Sequence, residues 1–150
     1  RVRAFERCNV RYLTARNLYE KEPERADMAV IDLAFISVNK VLPVIWKLLK
    51  SPREVVILVK PQFEAKREEV KRGGIMRDPV IQMRILQDVT ETLSKIGWGV
   101  LSACSSPILG RAGNMEFLLH VTAGTSSTVS PVDIQNLFVK VVQEAHEKWD

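Results

Sequence analysis

The chain has 150 residues, with 22 lysines and arginines against 18 aspartates and glutamates, which gives a net charge of +4 and an isoelectric point near 9.2. Hydrophobic residues make up 46% and charged residues 27%, an ordinary globular composition that excludes a disordered or low-complexity chain. No apolar run approaches the roughly 18 residues of a membrane helix, and the mildly basic balance permits a nucleic-acid partner without requiring one. Two cysteines and two histidines are too few for a disulfide framework or a zinc site, and they favour a reducing, cytoplasmic compartment.

Strands and helices are predicted to alternate along the chain. The arginine-rich residues 1–13 allow a short strand ending near Phe5, and the charged residues 18–25 are typical of a connector. Four further strands are predicted at residues 28–32, 55–59, 98–102 and 115–121. Caps, prolines and helical spacing predict helices from Ser37 to about Lys50, from Asp78-Pro79 to Gly97, and from Ser130-Pro131 onward. Pro43 is expected to bend or restart the first turn of the first of these helices. The remaining segments are expected to be a charged loop at 62–77 and a small-residue linker at 122–128.

This order predicts an α/β sandwich with a mostly parallel sheet. The runs at 28–31 and 55–59 are continuously apolar, as in parallel strands covered by helices on both faces. No helix separates the last two strands, so they are expected to pair antiparallel. The sheet is narrow for its helices and the chain opens without a methionine, which suggests that it starts inside a longer protein.

Three charged residues are predicted to meet at one edge of this sheet. Asp32 ends the first buried strand and Lys60 follows the second, and sites in such sheets lie at the carboxyl ends of strands. Glu116 lies at the start of the antiparallel strand, near the same edge. Each residue alone is better explained as a solvated strand end or an ion pair. Together they form a site that could remove a proton from a weakly acidic hydroxyl during nucleophilic attack.

The segments that contain these residues resemble the haemolysin A (TlyA) family. They are VIDLAFIS at 30–37, VKPQFE at 59–64 and GNMEFL at 113–118, and the segments ERCNVR at 6–11 and GGIMRDP at 73–79 are similar to that family as well. The resemblance covers about residues 1–121 in the family's order. It implies a Rossmann-like, FtsJ-like methyltransferase fold and an S-adenosylmethionine-dependent rRNA 2′-O-methyltransferase whose partner is ribosomal RNA or a ribosomal subunit.

The resemblance also implies roles for individual residues. The family uses a lysine–aspartate–lysine–glutamate tetrad, and the match carries Asp32, Lys60 and Glu116 into three of its positions. Lys60 would help to deprotonate the ribose 2′-hydroxyl, Asp32 would orient it and border the methyl donor, and Glu116 would hold the lysine or the ribose. The residues implied to bind S-adenosylmethionine are Asn9, Val10, Asp32 and Leu33. No metal is implied.

Other parts of the family's pattern have no match in this sequence. They are the first lysine of the tetrad, the glycine-rich cofactor loop and the S4-like RNA-binding domain. Residues 1–150 are therefore expected to be the C-terminal part of a single FtsJ-like methyltransferase domain, N-terminally truncated and inactive alone. The sequence also has Ala34 where the family usually has serine, Cys8 where it usually has threonine, and Gln82 where it often has histidine.

Basic residues follow Lys60 and could hold RNA phosphates. They are Lys66, Arg67, Lys71, Arg72 and Arg77. An equally good interpretation is a solvated loop in which nearby acids balance these charges, namely Glu64, Glu68, Glu69 and Asp78. Arg111, in the small-residue loop before Glu116, is the better phosphate candidate.

Two further interpretations stay open at the level of the sequence. The missing cofactor loop allows a non-catalytic RNA- or ribosome-binding module derived from such an enzyme. A haemolysin acting on membranes has no amphipathic span to support it. Finally, the sheet is expected to have an edge without a neighbour, which would favour a homodimer or poor solubility of this chain.

Overall fold

The computed structural model describes residues 2–19, 24–123 and 129–150. Within them the strands β1 to β4 are Ala26–Asp32, Leu49–Val59, Trp98–Ser105 and Phe117–Ala123. The helices α1 to α5 are Ala15–Tyr19, Leu42–Leu48, Pro61–Glu64, Pro79–Ile96 and Pro131–Trp149. Short 3₁₀ turns lie at Val10–Tyr12, Val38–Lys40, Arg67–Glu69 and Arg111–Gly113. The central part of the predicted connector at 18–25 and most of the predicted linker at 122–128 lie outside the described residues.

The four strands form one sheet in the order β1-β2-β4-β3. β1 pairs parallel with β2, and β4 pairs antiparallel with both β2 and β3. The predicted antiparallel pairing of the last two strands is therefore confirmed. β4 is the last strand along the chain, but it lies inside the sheet and separates β2 from β3, so β1, β2 and β3 all run in one direction.

The hydrophobic core lies between one face of the sheet and the helices α2, α4 and α5. Val55, Ile57 and Val59 of β2 have no exposed surface, and they belong to the same buried cluster as Leu42, Val89 and Phe138 of the three helices. Several residues that point to the opposite face of the sheet are exposed to solvent: Val30 of β1 is 75% exposed, and Cys104 of β3 is exposed as well. The prediction of helices on both faces is thus wrong for the described part of the chain, in which the second face remains open.

Helix α4 begins and ends, and helix α5 begins, where local signals predict. The Asp78 carboxylate accepts hydrogen bonds from the backbone N–H groups of Val80 and Ile81, and Pro79 occupies the first turn. Gly97 ends α4 with a φ of 110°, a left-handed conformation that glycine adopts without strain. Ser130 caps α5 through the N–H of Asp133. These ends depend on neighbouring residues, which explains why the sequence predicts them well.

The helix predicted from Ser37 to about Lys50 has the wrong bounds, but the restart expected at Pro43 is confirmed. Ser37 caps only a 3₁₀ turn, and α2 restarts at Leu42 because Pro43 fits the first turn of a helix and not its interior. β2 begins at Leu49, earlier than predicted, because that residue pairs with Ala26 across a register shift that accommodates Pro52. The predicted charged loop contains α3 and a 3₁₀ turn, and the described residues 2–5 form no strand.

None of the helices in the described ranges is long and apolar enough to cross a bilayer. Both cysteines are free and exposed.

Candidate functional site

Asp32, Lys60 and Glu116 lie at the same edge of the sheet, which we call the site edge. Asp32 is the last residue of β1, and Lys60 directly follows the parallel strand β2. Glu116 directly precedes β4, whose first residue Phe117 pairs with Val59. Because β4 runs antiparallel to β2, its beginning meets the end of β2. The topology therefore brings together all three residues that the sequence predicts for the site.

Lys60 and Asp32 form a close ion pair at the site edge. The distance from Lys60 Nζ to Asp32 Oδ1 is 2.6 Å. The lysine side chain is only 16% exposed, whereas the aspartate side chain is 64% exposed. The amine is therefore largely shielded by protein, while the carboxylate that orients it also faces solvent, where a substrate could approach.

Glu116 is almost completely buried beside this pair. Its side chain accepts a hydrogen bond of 3.0 Å from Gln62 Nε2, and its carbonyl accepts one of 2.8 Å from the N–H of Ser106. Gly110 passes so close that a Cβ atom at that position would lie 2.1 Å from Glu116 Oε1. A side chain at residue 110 would therefore force the Glu116 carboxylate to move. In the described structure Lys60 forms its ion pair with Asp32 and none with Glu116.

Asn114 holds together the two loops that flank Glu116. Its Oδ1 accepts a hydrogen bond from the N–H of Met76, and its Nδ2 donates to the carbonyls of Gly74 and Arg111. Asn114 is 2% exposed, so its three bonds are made in a buried environment where an unpaired amide would be costly. The sequence interpretation did not assign it a role, because two of these partners, Met76 and Gly74, lie 38 and 40 residues away along the chain.

An exposed aromatic ring lies in the loop that follows Asp32. Phe35 is 84% exposed, and its φ of 63° is a left-handed conformation that costs a bulky residue about 1–3 kcal/mol. Its ring lies 5.0 Å from that of Phe63, measured between centroids. Sequence reasoning missed Phe35, since no local signal predicts a positive φ at phenylalanine.

Glu64 connects the loop after Asp32 to the helix after Lys60. Its two oxygens accept hydrogen bonds of 2.6 Å from Ser37 Oγ and 2.7 Å from the N–H of Val38. Burial raises the pKa of the Glu64 carboxyl, and these hydrogen bonds oppose that rise by stabilising the charged form. The sequence interpretation counted Glu64 only as a surface charge, whereas the structure turns it inward.

The residues predicted to bind the cofactor are only partly brought together. Leu33 follows Asp32 directly and packs against the core. Asn9 caps the 3₁₀ turn that contains Val10, through a hydrogen bond from the N–H of Arg11, and this turn packs against α2. Among the described residues, no hydrogen bond joins Asn9 or Val10 to Asp32 or Leu33.

Five of the six predicted RNA-binding residues are exposed, and in the described ranges none of the five has an ion-pair partner. They are Lys66, Arg67, Lys71, Arg72 and Arg111. The sixth, Arg77, donates instead to the Gly113 carbonyl and to Asp150.

The acids expected to balance these charges are largely committed to other groups. Glu64 binds Ser37 and Val38, Glu69 binds Arg84, and Asp78 caps α4. The basic surface next to Lys60 is therefore less neutralised than the sequence alone indicates.

Comparison with known proteins identifies the family. The model of FtsJ-like methyltransferases matches residues 1–123, and the chain belongs to this family. The Bacillus subtilis (strain 168) protein named "Putative rRNA methyltransferase YqxC" is 37% identical over 147 residues, which cover 98% of this chain and 51% of that protein. The Mycobacterium tuberculosis (strain CDC 1551 / Oshkosh) protein named "16S/23S rRNA (cytidine-2'-O)-methyltransferase TlyA" is 33% identical over 144 residues, covering 96% of this chain and 52% of that protein.

A solved structure has the same fold. It is described as "Putative hemolysin from Streptococcus thermophilus", and it aligns with a TM-score of 0.86 and 38% identity over 98% of this chain and 51% of that chain. The resemblance to TlyA proteins and the methyltransferase fold class are thereby confirmed. The chain spans about half the length of the curated relatives it matches.

Proposed function

We propose that the protein transfers a methyl group from S-adenosylmethionine to a ribose 2′-hydroxyl of ribosomal RNA. The observation that carries this proposal is the Lys60–Asp32 pair, 2.6 Å long, at the same sheet edge as the buried Glu116. Membership of the FtsJ-like methyltransferase family and the name of the TlyA relative support the reaction and the substrate.

The site edge supplies groups that act on a hydroxyl. Lys60 acts as the base in its neutral amine form, after its ammonium proton has passed to solvent. Oriented by Asp32, the amine then accepts the proton of the 2′-hydroxyl as the ribose oxygen attacks the methyl carbon. The new bond joins that oxygen to carbon, and the bond that breaks joins the same carbon to sulfur. Glu116, held by Gln62 and packed against Gly110, fixes the position of the lysine or the ribose. Correct alignment of the reacting atoms accounts for much of the acceleration.

The described residues fit one side of bound S-adenosylmethionine. Its sulfonium supplies an electrophilic methyl group, and the solvent-facing carboxylate of Asp32 and the half-buried side chain of Leu33 would border it. We assign Asn9 and Val10 to the same cofactor, although their turn lies against α2. The 150 residues contain no counterpart of the family's glycine-rich cofactor loop, so we expect this chain alone not to transfer methyl groups.

The partner that fits the surface next to the site edge is RNA. Lys66, Arg67, Lys71, Arg72 and Arg111 are exposed basic residues that would bind phosphates and orient the ribose towards Lys60. Arg77 would support these contacts indirectly, because its guanidinium fixes the loop at Gly113. The exposed ring of Phe35 offers a stacking surface for a base beside Asp32.

The test is methylation of ribosomal subunits by the full-length protein, that is, the longer protein of which we expect this chain to be a part, and by its Lys60→Ala variant. We expect Lys60→Ala to lower the rate by about 10²–10⁴-fold, as when a general base is removed. Lys50→Ala is the matched control, because Lys50 pairs with Asp27 at 3.0 Å on the same two strands but at their opposite end. The control should retain full activity. A Lys60→Ala protein that is folded and methylates within a few-fold of wild type would overturn the proposal.

A further inference from the structure

The loop after β1 and the helix after β2 contact each other at three successive points. At the first, Asp32 pairs with Lys60 at 2.6 Å. At the second, the rings of Phe35 and Phe63 lie 5.0 Å apart. At the third, Glu64 accepts hydrogen bonds from Ser37 and Val38. We call this set the loop–helix contact, and Glu64 closes it at the end opposite to Lys60.

The loop needs this closure because its own conformation is strained. Phe35 has a φ of 63°, which is unfavourable for a residue with a Cβ atom, and such conformations persist only where the surroundings over-determine them. Phe35 is mostly exposed, so packing of its own side chain supplies little of that restraint. The two hydrogen bonds from Ser37 and Val38 go to a half-buried carboxyl group, and hydrogen bonds to the ionised form of such a group are stronger than those between neutral groups.

We infer that Glu64 is a positioning residue, which fixes the loop from Leu33 to Ser37 against α3 and thereby sets the edge of the methyl-donor site next to Asp32. This inference rests on the proposed methyl transfer. Glu64 does not touch the reacting atoms, because Asp32 and Lys60 lie at the other end of the contact. Its raised pKa, caused by burial, agrees with a group that is enclosed between two segments of chain.

The chemistry of the contact predicts which substitution is tolerated. Glutamine can accept the Val38 N–H with its carbonyl oxygen and donate an amide proton to the Ser37 hydroxyl, so Glu64→Gln keeps both bonds. Glu64→Ala removes both. A role that depended on negative charge at residue 64 would be lost in both variants, whereas a positioning role would be lost only in the alanine variant.

The first measurement is amide hydrogen exchange of the full-length protein without any substrate. Glu64→Ala should speed exchange at Val38 and across residues 33–38, and Glu64→Gln should leave it near the wild-type rate. Glu69→Ala is the matched control, since Glu69 accepts a hydrogen bond from the Lys66 N–H in the next turn and does not contact the loop. It also breaks the ion pair between Glu69 and Arg84, and it should speed exchange at Lys66 without changing exchange at residues 33–38. Unchanged exchange at 33–38 in folded Glu64→Ala would overturn the inference.

The second measurement is the kinetics of methyl transfer. We expect Glu64→Ala to raise the KM for S-adenosylmethionine by about 10- to 100-fold with a smaller change in kcat, because a displaced loop weakens binding at its own edge. Glu64→Gln should restore the wild-type KM. If the wild type is active and Glu64→Ala is unimpaired, or if the alanine and glutamine variants are equally impaired, the role of Glu64 would be overturned while the proposed function would stand. An inactive wild type would overturn the proposed function, and with it this role, whatever the exchange result.

Discussion

Replacing Gly110 with alanine tests whether methyl transfer depends on where the Glu116 carboxylate lies. Gly110 has a φ of −73°, so an alanine fits the main chain without strain. The new Cβ, however, would lie 2.1 Å from Glu116 Oε1 and 2.5 Å from its Cδ. Real Cβ contacts essentially never fall below 3.0 Å, so the carboxylate has to move.

The size of this displacement sets the expected effect. The carboxylate has to retreat by about 1 Å, which breaks its hydrogen bond from Gln62, and a misplacement of that size at a reacting centre costs on the order of 100-fold in rate. The free energy of unfolding should change by no more than about 1 kcal/mol, because alanine reduces the entropy of the unfolded chain while one hydrogen bond is lost. Activity and stability are therefore expected to separate.

The assay is methylation of ribosomal subunits by the full-length protein, with chemical denaturation of the same samples. Ala112→Gly is the control in the same loop, because it relaxes a φ of 60° and adds no atom near Glu116, and it should retain activity. A Gly110→Ala protein that methylates within twofold of wild type would refute the reasoning that the carboxylate position matters. A loss of more than about 3 kcal/mol of stability would show that the backbone moved instead of the side chain.

Three further predictions concern pH, salt and association. Burial raises the pKa of the Glu64 carboxyl above its ordinary 4.5. The stability that comes from this raised pKa is therefore present below pH 4.5 and is lost as the pH rises through the raised value. Urea titrations should show the wild type losing stability relative to Glu64→Gln over that pH range. The double variant Arg67→Ala/Arg72→Ala should bind RNA more weakly, and the slope of its log binding constant against log salt concentration should fall by about one per lost phosphate contact. Lys140→Ala on α5, where Lys140 pairs with Glu144, should change neither. Equal slopes in the double variant and the wild type would contradict the assignment. The 150-residue chain should form dimers or aggregate through the free edge of β1. Val30→Lys should suppress this association. A wild-type chain that light scattering shows to be monomeric at high concentration would argue against the prediction.

The sequence by itself predicts the elements and residues whose signals are local. α4 follows directly from Asp78, Pro79 and Gly97, because caps and breakers act within one turn of the chain. The positions of Asp32 and Lys60 at strand ends follow from apolar runs that stop at a charge. The antiparallel direction of the last strand follows from the short connection before it. These features need no knowledge of what lies across the fold.

Only the tertiary structure decides the features that depend on distant partners. Insertion of β4 between β2 and β3 places Glu116 beside Lys60, and nothing local encodes that order of strands. Glu64 and Arg77 both look like surface charges in the sequence, yet Glu64 turns inward to Ser37 and Arg77 reaches Asp150. The physical reason is that burial and hydrogen bonding depend on which groups the fold brings within about 3 Å, and here those groups lie 27 and 73 residues away along the chain.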